Sequence, residues 1–333
     1  MSSAPALINA ENIAKDYGKG AVIAGVSLGI LRGERIGIVG RNGGGKSTLL
    51  RILVGAEQPD SGRVSFLSGL SIGYLAQVDE FPPDASISQV IFGDRDTHAW
   101  ASDSHAREVL EGLFGSHRAR DFDRAIAGLS GGERRRVSLA KLLVSNHDII
   151  CLDEPTNHLD VEGVNWLASY IKAERRIAVV VITHDRWFLD EVSDRTWEVV
   201  NGGVEEYDGG YSAFVLAKAE RIRQADIEAT RRNNLIRKEL AWLRRGAPAR
   251  TTKPKFRVDA ANQLISAEPP PRDSVELLNF ATNRLGKRVF ELHDVTLGVG
   301  DKVLAEHINF NFAPGARYAI VGANGAGKTS FLH

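Results

Sequence analysis

Residues 36–50 read IGIVGRNGGGKSTLL, a short apolar run followed by a glycine-rich turn and a helical pattern. The turn fits GxxxxGK[ST] from Gly40 to Ser47, in the strand-turn-helix context that the phosphate-binding pattern requires. Glycines there let backbone N–H groups close around phosphate oxygens at a helix N-terminus, where the helix dipole favours anions. The motif predicts a nucleoside triphosphate site formed by Gly40, Asn42, Gly43, Gly45, Lys46, Ser47 and Thr48.

A second apolar run ends in two carboxylates. Residues 148–160 read DIICLDEPTNHLD, with Asp153 at the end of the run and Glu154 beside it. Such a pair alone is more often a solvated turn, but next to a phosphate-binding loop it indicates catalysis. Asp153 and the Ser47 hydroxyl are suited to Mg²⁺, Lys46 to the outer phosphates, and Glu154 to orienting a water molecule.

The phosphate-loop sequence occurs twice. Residues 318–332 read YAIVGANGAGKTSFL and match residues 36–50 at a constant offset of 282, a register that extends upstream. The second copy stops just after its loop, so whatever follows Lys46 in the first copy has no long counterpart. We therefore expect the sequence to be a truncated form of a longer chain. We assign to the second loop Gly322, Asn324, Gly325, Gly327, Lys328 and Thr329.

The first copy alternates strand-like and helix-like patterns. The apolar runs at 36–40, 148–152 and 177–183 are short, β-branched and bounded by turn or polar residues, as buried strands are. Residues 133–144 and 161–173 have helical spacing. These patterns predict an α/β fold built around a mostly parallel sheet.

The rest of the chain indicates a connector and the start of a second module. We predict a first module at 1–210 with a helical subdomain at about 84–147, a basic helical-hairpin linker at 211–272, and an incomplete second module at 273–333. In the linker, a long helix over 212–245, a basic turn and a returning helix over 256–267 would form the hairpin.

The composition is that of an ordinary globular protein. The chain has 333 residues, 43% of them hydrophobic and 25% charged, with no net charge. No apolar run approaches the length of a bilayer span, and the N-terminus lacks a secretory signal. The single cysteine, Cys151, excludes an internal disulfide framework and a zinc site built on cysteines, and we interpret it as core packing. We expect a cytoplasmic protein without membrane insertion.

Three further motifs carry a family resemblance. LSGGERRR (129–136), LDEPTNHLD (152–160) and THDRWFLD (183–190) resemble, in order and context, the signature, Walker B and switch-histidine motifs of ATP-binding cassette (ABC) proteins. In this form the chain resembles the ABC-F branch, soluble tandem-cassette ATPases that act on ribosomes. The resemblance covers nearly the whole chain. It implies a P-loop cassette, a linker and the start of a second cassette, with ATP and Mg²⁺ as ligands and ATP hydrolysis as the reaction.

The resemblance implies roles for residues outside the phosphate loop. Tyr17 would stack on adenine, although an aromatic residue near a strand is often part of the core, and Gln77 would sense Mg²⁺ and the γ-phosphate. Glu154 would be the catalytic carboxylate and His184 the γ-phosphate switch, for which a core histidine is the ordinary alternative. Asp160, which also fits the N-cap of the next helix, would be the D-loop residue. The γ-phosphate of ATP held by the opposite cassette would be bound by Ser130, Gly131 and Gly132.

ATP in such proteins lies between the phosphate loop of one cassette and the signature of the other. Lys46 and Ser130 would then serve different nucleotides, and no complete hydrolytic site would form within this chain alone. A homodimer through the first cassette is the alternative arrangement. The second copy has Val299 at the position that matches Tyr17, so it lacks that aromatic ring.

Positive charge is concentrated in the linker. Residues 218–257 contain thirteen Lys or Arg and four Asp or Glu. The cluster is interpreted either as a solvated coiled-coil connector or as a contact with RNA phosphates, where each cation adds a salt-dependent increment. By resemblance, the hairpin reaches toward transfer RNA at the ribosomal peptidyl site. We assign ribosomal and transfer RNA contacts to Arg244, Arg245, Arg250, Lys253 and Lys255.

Three functions remain open at this point. The first is a ribosome-associated ATPase, in translation regulation or antibiotic protection, whose ATP-bound closed state binds and whose hydrolysis releases. The second is the ATPase subunit of a transporter with a separate permease. The third is a DNA-associated ATPase that uses the same basic linker. A transporter subunit would not need that linker, which favours the first and third.

Overall fold

The computed structural model of the chain describes residues 6–18, 20–78, 81–82, 84–93, 103–115, 122–244, 290–299, 302–313, 316–322 and 327–332. Its strands are β1 (Ile8–Asp16), β2 (Ala21–Ile30), β3 (Arg35–Gly40), β4 (Ser61–Phe66), β5 (Ile72–Leu75), β6 (Ile149–Asp153), β7 (Ala178–Ile182), β8 (Arg195–Val200), β9 (Gly203–Asp208), β10 (Phe290–Val299) and β11 (Lys302–Phe312). Its helices are α1 (Lys46–Leu53), α2 (Ile87–Phe92), α3 (Ser104–Phe114), α4 (Gly131–Val144), α5 (Val161–Ala173), α6 (Arg186–Val192), α7 (Tyr211–Arg244) and α8 (Lys328–Leu332). The chain forms two compact units, one of residues 1–214, 293–309 and 317–333 and the other of residues 215–292 and 310–316, and each is described by itself.

Six of the described strands form one sheet, in the order β5-β6-β7-β3-β8-β9. Neighbouring strands are parallel except β8 and β9, which are antiparallel. Every residue of β6 and β7 is buried, as continuous apolar runs predict for strands covered on both faces. The fully buried Cys151 belongs to β6, and burial raises the pKa of its thiol to about 12, so it is core packing. The predicted α/β fold with a mostly parallel sheet is confirmed.

Three other strands form an antiparallel sheet in the order β2-β1-β4. Its residues Ile8 and Ile13 share a core cluster with Ile36 of β3 and Leu49 of α1. Burying each such side chain contributes about 1.5–3 kcal/mol. This shared core fixes the end of β1 relative to α1, and Tyr17 follows directly after β1.

The helices predicted at 133–144 and 161–173 are confirmed as α4 and α5. Ser130 caps α4, and Asp160 caps α5 by accepting a hydrogen bond from the Gly163 N–H at 3.0 Å. Helices α2, α3 and α4 contribute to one core cluster. They lie within the region predicted to be a helical subdomain.

The long helix α7 begins where the first module ends. It spans Tyr211–Arg244, one residue earlier than the predicted 212–245. Phe214 in its first turn packs edge-on against Tyr207 of β9, with ring centroids 5.0 Å apart. Among the described residues, no helix, α7 included, is long and apolar enough to cross a membrane. The predicted basic turn and the returning helix at 256–267 lie outside the described residues.

The internal repeat is visible in the backbone. β10 and β11 pair with each other and stand at the predicted offset from β1 and β2. Asn12 of β1 and its counterpart Asp294 both adopt the left-handed region, with φ of 48° and 51°. In each copy that backbone N–H donates to a matching side chain, Ser27 Oγ in the first and Asn309 Oδ1 in the second, both at 2.9 Å. The repeat is confirmed over these strands.

One element differs between the two copies. Residues 36–40 lie in β3, whereas residues 318–322 form no strand, and Val321 is 80% exposed where its counterpart Val39 is 8% exposed. β3 lies between β7 and β8, which are built from residues that follow the first phosphate loop. β3 is therefore hydrogen-bonded on both sides, whereas residues 318–322 pair with no strand among the described residues.

Candidate active site

The predicted motifs meet at one edge of the parallel sheet. Gln77 follows β5, Asp153 ends β6, His184 follows β7 and the first phosphate loop follows β3. These four strands are adjacent in the order β5-β6-β7-β3. Because they are parallel, their carboxyl ends bring together side chains that are far apart in the sequence.

A cleft of about 460 Å³ opens at this edge, within the size range of small-molecule sites. It is lined by Tyr17, Val22, Asn42, Gly43, Gly45, Lys46, Ser47, Thr48, Gln77, Asp153, Glu154, Asn157, Ile182 and His184. Three of these, Val22, Asn157 and Ile182, are not predicted from the sequence, and the others are. Gly40 stands just before the loop, at the end of β3.

Gly40 and Gly45 of the phosphate-binding motif combine a positive φ with no room for a side chain. Gly40 has a φ of 145°, and a Cβ there would lie 2.5 Å from the carbonyl oxygen of Val199. Gly45 has a φ of 99°, and a Cβ there would lie 2.7 Å from Cγ1 of Val22. Gly45 also precedes α1 without a side-chain cap. The helix therefore starts at the cleft with its first N–H groups left for an anion.

Lys46 is a buried cation of the cleft. Its Nζ donates hydrogen bonds to the carbonyl oxygens of Gly40 at 2.9 Å and Arg41 at 3.0 Å. Burial lowers the pKa of Lys46, while the carboxylates of Glu154 and Asp153 act to raise it. The ammonium group is thus held where an anionic phosphate would compensate for the water that it has lost.

The two carboxylates that end β6 differ in backbone conformation. Asp153 is 2% exposed, whereas Glu154 is 8% exposed and has a φ of 52°. This left-handed conformation is uncommon for residues other than glycine and concentrates at functional sites. Glu154 donates its backbone N–H to Ile182 O at 2.8 Å, and its Oε1 lies 3.6 Å from Nε2 of His184. The structure therefore brings together the carboxylate and the histidine that the resemblance singles out.

A pair of hydroxyl groups joins the loops that follow β6 and β7. Oγ1 of Thr156 lies 2.8 Å from Oγ1 of Thr183, which also accepts the backbone N–H of Asp185 at 3.1 Å. The segment after Glu154 is therefore fixed to the segment that carries His184. The only signal in the sequence is the two threonines themselves, with nothing to indicate that they meet.

Arg135 connects helix α4 with the cleft, a role that the sequence patterns did not predict. It lies in α4, is 3% exposed, and donates to the carbonyl oxygens of Ala76 at 2.6 Å, Glu154 at 3.0 Å, and Asp153. One guanidinium group therefore joins the turn before Gln77, the end of β6 and α4. Its only sequence signal is a run of three arginines in a helix that is otherwise partly apolar.

The signature residues stand apart from this cleft. Ser130, Gly131 and Gly132 are not among the residues that line it. The N–H and the hydroxyl of Ser130 donate to Oε2 of Glu133 at 2.9 and 2.8 Å, as part of a capping box. Their predicted role toward ATP on an opposite cassette stays a prediction.

The side chain of Asp160 is bonded to other residues of the first module. Its Oδ2 lies 2.8 Å from a guanidinium nitrogen of Arg136, and both side chains are largely buried. Its Oδ1 caps α5. Asp160 does not line the cleft, so its assignment as a D-loop residue in contact with nucleotide stays a prediction.

The cleft contains oxygen ligands suited to Mg²⁺. This ion is commonly held by one or two protein groups together with substrate phosphates. The side chains of Ser47, Gln77 and Asp153 all line the cleft and carry a hydroxyl, an amide and a carboxylate. The described residues contain no cluster of three or more His, Cys, Asp or Glu that would favour another metal. This donor set fits Mg²⁺ bound together with a nucleotide, whose phosphate charge the ion would neutralise.

The second phosphate loop reproduces part of the first. Lys328 Nζ donates to Gly322 O at 2.6 Å, as Lys46 does to the counterpart of Gly322. Gly327 has a φ of 89° and α8 begins at the next residue, with Thr329 in its first turn. The predicted residues Asn324 and Gly325 lie outside the described residues.

The residues assigned to RNA lie at or beyond the end of α7. Arg244 is the last residue of that helix. The other four, Arg245, Arg250, Lys253 and Lys255, lie outside the described residues. Their RNA contacts stay a prediction.

A phosphate loop after one strand, with a carboxylate pair and a histidine after its neighbours, defines an ATP-binding cassette ATPase domain. A family model described as ABC transporter matches residues 23–157, and an extension model with the same description matches residues 197–279. The chain thus contains an ABC ATPase domain followed by an ABC extension region.

Curated bacterial relatives match the chain along nearly its whole length. YfmR of Bacillus subtilis (strain 168), an uncharacterised ABC transporter ATP-binding protein, is 35% identical over 98% of this chain and 57% of its own. The energy-dependent translational throttle protein EttA of Escherichia coli (strain K12) is 35% identical over 93% of this chain and 62% of its own. EttA of Mycobacterium tuberculosis (strain H37Rv) is 31% identical over 97% of this chain and 64% of its own. The chain therefore spans 57% to 64% of the length of these relatives.

Solved structures share the fold. The ATP-binding subunit of an ABC transporter superposes with a TM-score of 0.54 at 17% identity, over 61% of this chain and 90% of that one. A bacterial Atm1-family ABC exporter with ATP bound superposes with a TM-score of 0.55 at 26% identity, over 68% of this chain and 44% of that one.

Proposed function

We propose that this chain is part of an ABC-F type ATPase that acts on the ribosome and regulates translation. In its ATP-bound closed state the protein binds the ribosome, and hydrolysis of ATP releases it. The observation that carries this proposal is the likeness, over 93% and 97% of the chain, to relatives named energy-dependent translational throttle proteins. Protection against antibiotics rests on the family resemblance alone.

The cleft supports the ATP part of the proposal. Lys46 and the N-terminus of α1 bind the phosphates, and Ser47, Gln77 and Asp153 hold Mg²⁺. Glu154 orients the attacking water, because its carboxylate stands at the cleft, and His184 beside it contacts the γ-phosphate. The hydroxyl pair of Thr156 and Thr183 holds the loop that carries Glu154 against the loop that carries His184.

The basic linker supports the RNA part. Its surplus of about nine positive charges between residues 218 and 257 suits a polyanion, and salt-dependent release of counterions would drive binding. In this proposal the linker hairpin contacts ribosomal and transfer RNA. The second ATP-binding half, with a signature that faces Lys46, belongs to a longer chain or to a second copy.

Sedimentation of cell extract tests the proposal. The protein with Glu154→Gln, tagged at its N-terminus, is expressed from its native locus and sedimented through a density gradient with ATP. We expect migration with ribosomes, because the variant binds ATP but does not leave the closed state. The matched control, Glu154→Gln with Lys46→Ala, lacks the ammonium group that binds the phosphates and should stay near the top. Pelleting with membranes would favour the transporter subunit and contradict the proposal.

A salt titration tests the linker. The five assigned cations are neutralised together, and the log of the affinity for ribosomal RNA is plotted against the log of the salt concentration. We expect the plot to become less steep, by roughly 0.7–0.9 in slope for each phosphate that is no longer neutralised. The matched control neutralises five exposed cations of the first module, Arg63, Arg107, Lys141, Arg175 and Arg176. An unchanged slope would mean that the hairpin is only a connector. Tighter binding to duplex DNA than to ribosomal RNA at the same salt would favour the DNA-associated alternative.

A further inference from the structure

Tyr17 is held by a group of side chains whose role the motifs do not explain. Its hydroxyl donates to Oε1 of Glu57, and Oε2 of Glu57 accepts a hydrogen bond from Nε of Arg51 at 2.9 Å. The same guanidinium group donates to Oγ1 of Thr48 at 3.3 Å, and the tyrosine hydroxyl lies 3.5 Å from that oxygen. We name Glu57 and Arg51 the tyrosine anchor.

The anchor is part of the helix that carries the phosphate loop. α1 starts at Lys46 in the cleft and contains Thr48 and Arg51. The backbone N–H of Glu57 donates to the carbonyl oxygen of Arg51 at 3.1 Å, so the carboxylate is fixed to the end of that helix. The ring of Tyr17 is therefore tied to the same rigid element whose other end holds the phosphates.

The strand end that carries Tyr17 is fixed by a second pair. Lys15 Nζ lies 2.9 Å from Oδ1 of Asp60 and 3.6 Å from Oε1 of Glu57. Oδ2 of Asp60 accepts the backbone N–H of Asp16 at 2.8 Å. Both ends of the tyrosine, its backbone and its hydroxyl, are thus held, although its ring is half exposed to the cleft.

We propose that Glu57, oriented by Arg51, is a positioning residue that sets the distance between the Tyr17 ring and the phosphate loop. A ring fixed in advance at the spacing between base and triphosphate binds the base without first losing side-chain freedom, which favours nucleotides over polyphosphates. This inference rests on the proposed placement of adenine against Tyr17. The carboxylate is suited to the role because, although burial acts to raise the pKa of Glu57, its hydrogen bonds with Tyr17 and Arg51 lower it overall.

The test compares two ligands that share a triphosphate and differ in the base. Dissociation constants for ATP and for inorganic tripolyphosphate are measured on this chain by calorimetry, with Lys328→Ala present so that only the first loop is titrated. We expect Glu57→Ala and Tyr17→Phe each to weaken ATP binding by about three- to tenfold and to leave tripolyphosphate binding unchanged. The double variant should be no weaker than either single one, because both remove the hydrogen bond between the tyrosine hydroxyl and the carboxylate.

Two variants complete the design. Glu11→Ala removes a carboxylate from β1 that pairs with Arg63, and it should change neither dissociation constant. Tyr17→Ala removes the ring and should weaken ATP binding by more than Tyr17→Phe does. If Tyr17→Ala weakens ATP binding while Glu57→Ala and Tyr17→Phe do not, the anchor is overturned and the adenine placement stands. If Tyr17→Ala has no effect on ATP binding, both the anchor and the adenine placement are overturned. An equal loss for ATP and tripolyphosphate would make Glu57 a merely structural residue.

Discussion

Replacing Arg135 by alanine should destabilise the first module more than any neighbouring surface change. The side chain donates hydrogen bonds to the carbonyl oxygens of Ala76, Asp153 and Glu154, and the last two of these bonds are buried. Each bond of a charged donor contributes about 1.5–3 kcal/mol, so their loss approaches 4.5 kcal/mol at the lower limit. Removing a buried guanidinium group also relieves its desolvation, which offsets part of this loss. The net expectation is about 3 kcal/mol, because the variant leaves buried carbonyl acceptors without their donor.

The assay is urea unfolding followed by circular dichroism. With a urea dependence of about 2 kcal/mol per M, a loss of about 3 kcal/mol lowers the midpoint by about 1.5 M. The matched control is Arg134→Ala on the same helix, whose partly buried side chain donates one hydrogen bond, to Ala127 O at 3.2 Å. Because that hydrogen bond is exposed to solvent, its loss should cost about 1 kcal/mol or less and shift the midpoint by about 0.5 M or less.

A second readout separates positioning from stability. At low temperature, where the variant stays folded, Arg135→Ala should also slow ATP hydrolysis by the assembled protein, because the carbonyls that it holds flank the catalytic carboxylate and the turn before Gln77. Arg135→Lys should recover only part of either property, since an ammonium group lacks the planar set of donors. Equal midpoints for Arg135→Ala and Arg134→Ala would refute the reasoning.

Three further predictions follow from the site. Glu154→Gln should keep ATP affinity within about twofold, as measured by nucleotide binding. It should lower turnover, measured by phosphate release, at least about 100-fold, because a positioned acid or base accelerates a reaction by about that factor. Gly40→Ala should abolish ATP binding or folding, because its φ is 145° and its Cβ would lie 2.5 Å from Val199 O. The control Gly29→Ala in β2 meets no atom within 4 Å and needs no left-handed φ, so it should fold as the wild type does, and equal melting behaviour of the two variants would contradict this. The lowered pKa of Glu57 means that wild type should exceed Glu57→Gln in stability above about pH 5 and lose that advantage as the pH falls further, in parallel urea titrations.

Local patterns were sufficient to predict much of this fold. The apolar runs that became β3, β6 and β7 and the helices that became α4 and α5 were located within one or two residues. Each depends on the order of apolar and polar residues along a short segment, which the sequence states directly. The cleft residues followed for the same reason, because the motifs stand immediately after strands whose parallel arrangement was predicted.

Contacts between distant segments could not be read from the sequence. Arg135 reaches Ala76, and Thr156 meets Thr183, only because three strands and a helix pack in one particular order. The left-handed backbone of Glu154 was equally hidden, since a glutamate gives no sign of that conformation. Such features depend on the register of the whole sheet, and a pattern along one segment carries no information about it.

The central strand β7 has a consequence for the size of the reaction site. It lies between β6, which ends in Asp153, and β3, which leads to the phosphate loop. Neighbouring strands stand about 4.8 Å apart, so one intervening strand places the backbone ends of β6 and β3 about 10 Å apart. That gap is the room in which a phosphate chain, an ion and a water can lie side by side. The five residues of β7, Ala178–Ile182, are apolar and carry no reactive group, and they act as a spacer that sets the width of the cleft.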